Sequence, residues 1–502
     1  MKHTWGIIVD DVVPEPPEDR AVSPLKVVMV VHTDIVADAR VRKSAQTVHK
    51  LGYDVTLIHG LPRGATERVE GCLDGIPTIG LPVPFPTTAL KAERERARRA
   101  RRRGFPGYRS KAEAEWVRQQ NVIAGLRASR HSRPVRAILR LYRFLTALRL
   151  HYHDGREARL ERRWAAIDDK DRPVRRLDWN YEVPAFSDIS IALTREIWRH
   201  DPTIIHAHDA AVLEAAVNAT NHLRAQGGRR RLIYDAHEFV AGAVRPNERL
   251  RRAWQQMESH YIKSVDAVIT VSEPIAEALH RNYHLAVRPT VVLNAPVVTN
   301  RVEATSDVRR DCQLGPETPL IVYSGVTAPK RGVATVVDAL AQLPGVHLAL
   351  ICVPSPTAPF APELARRGAE MGVADRMHLL EPVEPEAVLD YLRTADLGVH
   401  PMIGGIRNHE MALPNKLFDY VFAGLPIVTS DLAEMGDFVR RTGVGEVFPH
   451  GDVDACAKAL AMALTALPQY RARIAQGNLQ ETYSWESQEA KLASLYRVLS
   501  EG

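Results

Sequence analysis

The sequence predicts an α/β protein of two doubly wound halves, each a parallel sheet covered by helices. Three observations predict it. The 502 residues are too many for one hydrophobic core. Short apolar runs rich in β-branched residues alternate with helical stretches, the order expected of a parallel sheet. The alternation runs out over residues 294–315 and begins afresh at Leu320, which marks a join.

Taken in order, residues 1–24 read as a polar, Pro-rich lead-in. Residues 26–31 (KVVMVV) read as a buried strand, 41–51 as a helix stopped by Gly52, and 54–58 as a second strand. Ligands on such sheets sit at the carboxyl ends of the strands, which puts the loop 32–40 at a mouth. No G-x-G-x-x-G stands there, so a dinucleotide site is not supported. Further strands of this half are expected at 203–207, 232–234, 267–271 and 290–293. The second half follows with strands at 320–323, 347–352, 377–380, 397–400 and 427–429. The domain limits are then 25–300 and 301–480, with 481–502 a closing C-terminal helix.

Residues 88–180 break the alternation with Arg-dense helical stretches. Between residues 91 and 176 there are 26 Lys+Arg and 10 Asp+Glu, a net of +16, while the whole chain carries +6. One segment therefore makes an otherwise acidic protein basic, which points to an anionic surface or partner. In RPVRAILRLYRFLTALRLHY, Val135, Ile138, Leu139, Tyr142, Leu145 and Leu148 fall on one face, with Arg136, Arg140, Arg143 and Arg149 around it. That composition suits a helix lying in a membrane interface, and equally a helix covering a core. No nucleic-acid motif accompanies the charge. The four cysteines are far apart and form no metal-type or disulfide framework, which fits a reducing cytoplasm. The acidic start is not a signal peptide, and no apolar run approaches a membrane span.

The densest motif is NHEMALPNKLFDYVFAGLPIV, beginning at residue 408. Pro414 sits where a first helical turn begins, apolar residues recur at helical spacing from Leu417, and Gly424 with Pro426 ends the helix. A helix start suits a bound phosphate, and Asp419 can accept from sugar hydroxyls. PNKLFDYVFAGLPIV resembles the donor segment of retaining glycosyltransferases of family 4, PxKLFEYxAAGxPVV. The resemblance implies that Asp419 binds the ribose of a nucleotide sugar. The family's usual second Glu falls at Met411, with Glu410 one step out of register, so both enter the donor set. The DARV element with GYDVTLI is also similar to the family opening and implies an acceptor or cleft role for Asp38 and Arg40, with a loop salt bridge as the alternative.

Other motifs extend the likeness. HAHD (206–209) ends a strand that points both histidines to one face; a metal would need a third ligand that the spacing does not offer. The resemblance places His208 beside donor sugar and acceptor. In YDAHEF, Asp235, His237 and Glu238 match a family element and imply a cleft-shaping or acceptor role. YSGVTAPKRG leaves the first strand of the second half. Gly325 allows close backbone approach, and Lys330 and Arg331 precede a helix where a cation meets a diphosphate. Arg331 takes the family's Lys place, Val326 stands at the usual Arg place, and Lys416 is a substitute cation. By likeness, Pro382 and Val383 flank the base. Asp452 reads as a helix N-cap rather than part of a metal-binding DxD.

The whole layout resembles the GT-B fold. The expected function is transfer of a sugar, with retention, from a nucleotide-sugar donor to a glycan, lipid-linked or small-molecule acceptor. His208, Arg331 and Lys416 would carry the chemistry without a metal or cofactor, in the cytoplasm at the membrane's inner face. Two other readings stand beside it: another GT-B enzyme such as a nucleotide-sugar epimerase, or a non-catalytic nucleotide-sugar-binding protein.

Overall fold

The computed structural model describes residues 24–33, 35, 38–101, 108, 111–127, 133–169, 177–299 and 303–501. The lead-in expected over 1–24 therefore lies outside the described residues apart from Pro24, as do residues 300 and 301 at the expected domain limit.

Two sheets organise the chain. The first contains β1 (Lys26–Val31), β2 (Asp54–Gly60), β3 (Val69–Leu73), β4 (Ile76–Leu81), β5 (Ile204–His208), β6 (Arg231–Ala236), β7 (Ala267–Thr270) and β8 (Thr290–Val291). Its order is β3-β4-β2-β1-β5-β6-β7-β8. The second contains β9 (Leu320–Val326), β10 (His347–Val353), β11 (Met377–Leu380), β12 (Leu397–His400), β13 (Ile427–Ser430) and β14 (Gly445–Phe448) in the order β11-β10-β9-β12-β13-β14. All pairings are parallel except the β3–β4 hairpin. Helices cover both faces, so the central strands are buried on both sides. That is why they read as unbroken apolar runs.

Sequence reading missed three strands. The β3–β4 hairpin turns at Asp74-Gly75, both at positive φ, a turn signal hidden among exposed, weakly patterned residues. The edge strand β14 reads GEVF and is too short to show a period. The helix after Pro414 starts one residue later than expected: Pro414 is its N-cap, with φ −64° and ψ 140°, and the helix is Asn415–Phe422.

The closing helix, Trp485–Glu501, returns to the first half. Trp485, Leu492 and Tyr496 join the core formed by β1, β2 and the Ala39–Lys50 helix. Trp485 Nε1 donates to Thr47 Oγ1 at 3.1 Å. The backbone thus crosses between the halves twice.

Within residues 88–180 the chain forms helices Pro86–Arg101, Lys111–Arg127 and Arg133–Asp169. Residues 102–107, 109–110, 128–132 and 170–176 of this span lie outside the described ones. The segment is pinned to the first sheet's cover. Asp188 accepts from the backbone and hydroxyls of Thr87 and Thr88, at 2.6 to 3.1 Å. Most of the described apolar residues of Arg133–Asp169 face solvent rather than a core, and the exposed set includes Leu141 and Phe144 as well as Ile138, Tyr142, Leu145 and Leu148, whereas Leu150 is buried. Leu139 is instead half-buried.

Candidate active site

On the first sheet, β5 ends in His206-Ala207-His208. Strand alternation puts both imidazoles on one face, where they stack with centroids 4.1 Å apart. His206 Nδ1 is within 2.9 Å of the Tyr496 phenol from the closing helix. Asp235, at the end of the adjacent β6, lies 3.3 Å from His208 Nδ1 and 3.4 Å from His237 Nε2. Arg40 grips Asp235 through Nε at 2.8 Å and Nη2 at 2.7 Å, and donates Nη1 to the Val292 carbonyl at 2.8 Å. Both members are buried, at 3% and 1% exposure. Asp38 does not pair with Arg40 as a side chain; its carboxylate caps the Ala39–Lys50 helix through the amides of Arg40 and Val41.

Charge in this cluster follows from geometry. Burial pushes the Asp235 carboxyl up, but Arg40 and the two histidines outweigh it and hold it well below the usual carboxylate range. For His237, burial favours the neutral ring, and Asp235 overrides it and raises the pKa. His206 and His208 are driven down chiefly by burial. His206, His208 and Asp235 offer ligand atoms within 4.8 Å of one another, so the fold supplies the third group that sequence spacing did not. Both Asp235 oxygens are already taken by a guanidinium, and a cation there would face Arg40 directly. The arrangement is that of an ion-pair network.

On the second sheet, Gly325 is the penultimate residue of β9, and its φ of +150° favours glycine. Lys330 and Arg331 occupy a short turn of 3₁₀ helix before the Val333–Leu340 helix. Between them Gly332 has φ +73°, and a Cβ there would lie 1.8 Å from the Pro401 carbonyl, so this turn is seated directly on the end of β12. His400 at that end is buried with neither ring nitrogen hydrogen-bonded. Burial, reinforced by Arg331 and Lys416, holds it neutral with a pKa of about 3. In the Asn415–Phe422 helix, Lys416 Nζ lies 3.1 Å from Asp419 Oδ2. Glu410 holds the Gly405 amide at 3.2 Å and the Ala433 amide at 3.4 Å.

The halves meet through the Arg407–Met411 helix. Asn408 Oδ1 accepts from the Phe239 amide at 2.8 Å, and the Met411 carbonyl from Ser272 Oγ at 2.6 Å. The Met411 side chain packs against the first half's core. Lys43, which sequence reading passed over, donates to Asn294 Oδ1 at 3.2 Å and to the Ala295 carbonyl. Burial pushes its pKa down to about 7, against the pull of the Asp419 carboxylate.

A cavity of about 750 Å³ opens between the halves. His237, Glu238 and Arg245 line it from the first; Lys330, Arg331, His409 and the Pro414–Asn415 helix start line it from the second. Of the residues singled out by sequence, His237, Glu238, Lys330 and Arg331 form its wall. His208, Asp235 and Arg40 stand behind His237. Gly325 adjoins the lining residue Val326, while Asp419 and Lys416 sit one turn into the helix that opens on the cavity. Pro382 and Val383 follow β11, outside this lining. Arg245 and Asn294 line it without having carried a recognisable motif, and Asn408 lines it from the start of the NHEM stretch.

Residues 152–301 match the family described as Glycosyltransferase Family 4, and residues 318–466 match Glycosyl transferases group 1. The chain belongs to glycosyltransferase family 4. This glycosyltransferase is 26% identical over 321 residues to the D-inositol 3-phosphate glycosyltransferase of Corynebacterium glutamicum, covering 61% of this chain and 68% of that one. Its fold is similar to sucrose-phosphate synthase from Thermosynechococcus elongatus, with TM-score 0.60 and 15% identity over 95% of this chain and 99% of the other. It is also similar to HepE of Anabaena, solved with UDP and glucose, with TM-score 0.58 and 12% identity over 94% and 100% of the two chains. The two parallel-sheet halves of the glycosyltransferase are those of a GT-B enzyme.

Proposed function

We propose that the enzyme transfers a glycosyl group from a nucleoside-diphosphate sugar to an acceptor hydroxyl, with retention at the anomeric carbon. One observation carries this reading. The second half lines the interdomain cavity with Lys330, Arg331 and the start of the Asn415–Phe422 helix, and contributes no carboxylate to that wall. A diphosphate fits such a wall, because cations and free helix N–H groups both favour it. HepE, solved with UDP, supports a uridine nucleotide as the first donor to try.

In this reading Asp419 accepts from the ribose hydroxyls, and Gly325 lets the backbone approach the donor. As the glycosidic bond breaks, charge grows on the leaving diphosphate. Lys330, Arg331 and the helix start stabilise it, with Lys416 behind them. His237 and Glu238 face this point from the first half, with His208 and Asp235 fixing His237 from behind. The acceptor is a glycan, a lipid-linked sugar or a small polyol, met on the first half at an anionic membrane face. Titration calorimetry with UDP, GDP and ADP tests the donor site, followed by release of the nucleotide from its sugar. The reading requires one of the three to bind in the micromolar range; no binding by any at millimolar concentration would overturn it.

A further inference from the structure

We infer that the Arg133–Asp169 helix is a docking face for an anionic lipid surface. The inference rests on the transferase reading, and names where a membrane-held acceptor would be met. At about 100° per residue, Ile138, Leu141, Tyr142, Phe144, Leu145, Leu148 and Tyr152 share one side of this helix. All seven are exposed; Ile138, Leu141 and Phe144 are 69%, 60% and 65% accessible. The opposite side is the one that packs. Thr146, Leu150 and His153 are buried, Leu150 clusters with Tyr108 and Ala114, and the Tyr108 amide donates to His153 Nδ1 at 3.1 Å. The helix is therefore already held by one face, and its apolar face is left to something else. The neighbouring helix exposes Trp116 and Val122 as well.

Charge selects the occupant. Arg140 borders the apolar side and Arg149 lies within it, and the segment from 91 to 176 carries +16. A second protein surface covering this face would bury that charge, whereas phosphate headgroups around an apolar interior match both parts of it. The exposed apolar stretch from Ile138 to Tyr152 spans about 21 Å, so the helix lies along a bilayer rather than through it. Among the described residues no helix is long and apolar enough to cross a membrane. The segment leaves the first sheet after β4, at the edge where β5 and β6 end in His208 and Asp235, so docking brings lipid to the acceptor side.

The test is sedimentation of the full chain with vesicles of phosphatidylcholine, alone or mixed with phosphatidylglycerol. Binding is expected only to the mixed vesicles, and is expected to fall as salt rises. Each basic side chain at an anionic leaflet multiplies partitioning by about fivefold, so Arg140→Glu with Arg149→Glu should weaken binding at least about 25-fold. Leu141→Ser, Phe144→Ser and Leu145→Ser together should weaken it at least about tenfold. The three serine positions and Arg140 are exposed, so circular dichroism and melting temperature of those variants should match the parent. Arg149 stacks over Tyr108 at 4.3 Å, so Arg140→Glu alone, expected to weaken binding about fivefold, controls for its effect on the fold. Equal binding to neutral vesicles, no binding to anionic vesicles at low salt, or a dimer by light scattering that the serine variant abolishes would each overturn the inference. Nucleoside-diphosphate titration of the same variants is expected to equal the parent. Its loss in every protein, parent included, would instead strike the transferase reading and leave the vesicle result to stand alone.

Discussion

Replacing Arg40 by Met should cost the first half about 3–5 kcal/mol at pH 8, the scale for removing one partner of a buried ion pair. The structure supplies the terms. The guanidinium makes two hydrogen bonds to Asp235 and one to the Val292 carbonyl, with both charged groups almost wholly enclosed. Without it, Asp235 keeps His208 and His237, at 3.3 and 3.4 Å, and His206 at 4.0 Å. The Val292 carbonyl also loses its partner, adding about 1–3 kcal/mol if water cannot reach it. A proton can replace the missing cation, on His208 or on Asp235 itself. The folded variant then binds more protons than the folded parent, so its deficit should shrink as pH falls, by up to about 1.4 kcal/mol per unit. Urea unfolding of both proteins at several pH values reads this directly. Removing both charges, Arg40→Met with Asp235→Asn, should cost less than the two single changes added. A loss below about 1 kcal/mol, or strict additivity in the double variant, would show that the pair does not organise this end of the sheet.

Three further outcomes are expected. Asp419→Ala should weaken binding of the cognate nucleotide by about 1–3 kcal/mol in calorimetry, and unchanged affinity removes Asp419 from the donor site. Arg331→Ala should lower turnover at saturating donor while leaving the melting temperature in place; equal turnover would return Arg331 to a solvated turn. His400 is held neutral to about pH 3, whereas an unfolded histidine titrates near 6.5, so the unfolded state takes up the extra proton and stability falls with acid below about 6.5. By pH 5 this single group costs about 2 kcal/mol, and His400→Phe should flatten the stability profile between pH 7 and 5 by that amount.

Most of the parallel sheet was legible because its strands are buried on both faces and leave continuous apolar runs, as KVVMVV does. The β3–β4 hairpin and β14 were not: the edge strand β3 is exposed, the buried β4 is interrupted by Pro77 and Gly80, and β14 has four residues. The motif residues could be read as chemistry but not as partners. Asp38 and Arg40 read as acceptor or cleft residues, with a salt bridge to one another as the alternative. Two positions apart at a helix start, they diverge: one carboxylate turns to the helix amides and the guanidinium reaches Asp235, 195 residues on. Asp235 could not be seen as the third group beside His206 and His208 because only the β5–β6 pairing sets it opposite His208. Asp452 was legible as a cap because capping is local, and its carboxylate does accept from the Ala455 amide at 2.9 Å. The exposure of the Arg133–Asp169 apolar face is not local either; amphipathic composition is the same whether a core or a bilayer lies beneath it.

The return of the Trp485–Glu501 helix has a consequence for biosynthesis. The first half is translated first, yet its sheet lacks Trp485, Leu492 and Tyr496 until the second half has emerged. At about 5–20 residues per second, the second half takes on the order of 10–40 s to make. During that interval His206 has no phenol beside it, and the apolar surface of the Ala39–Lys50 helix stays uncovered. The nascent half therefore exposes apolar surface that only the chain's last helix covers, and a stop codon before Trp485 would damage the histidine cluster nearly 280 residues upstream while leaving every motif of both halves encoded.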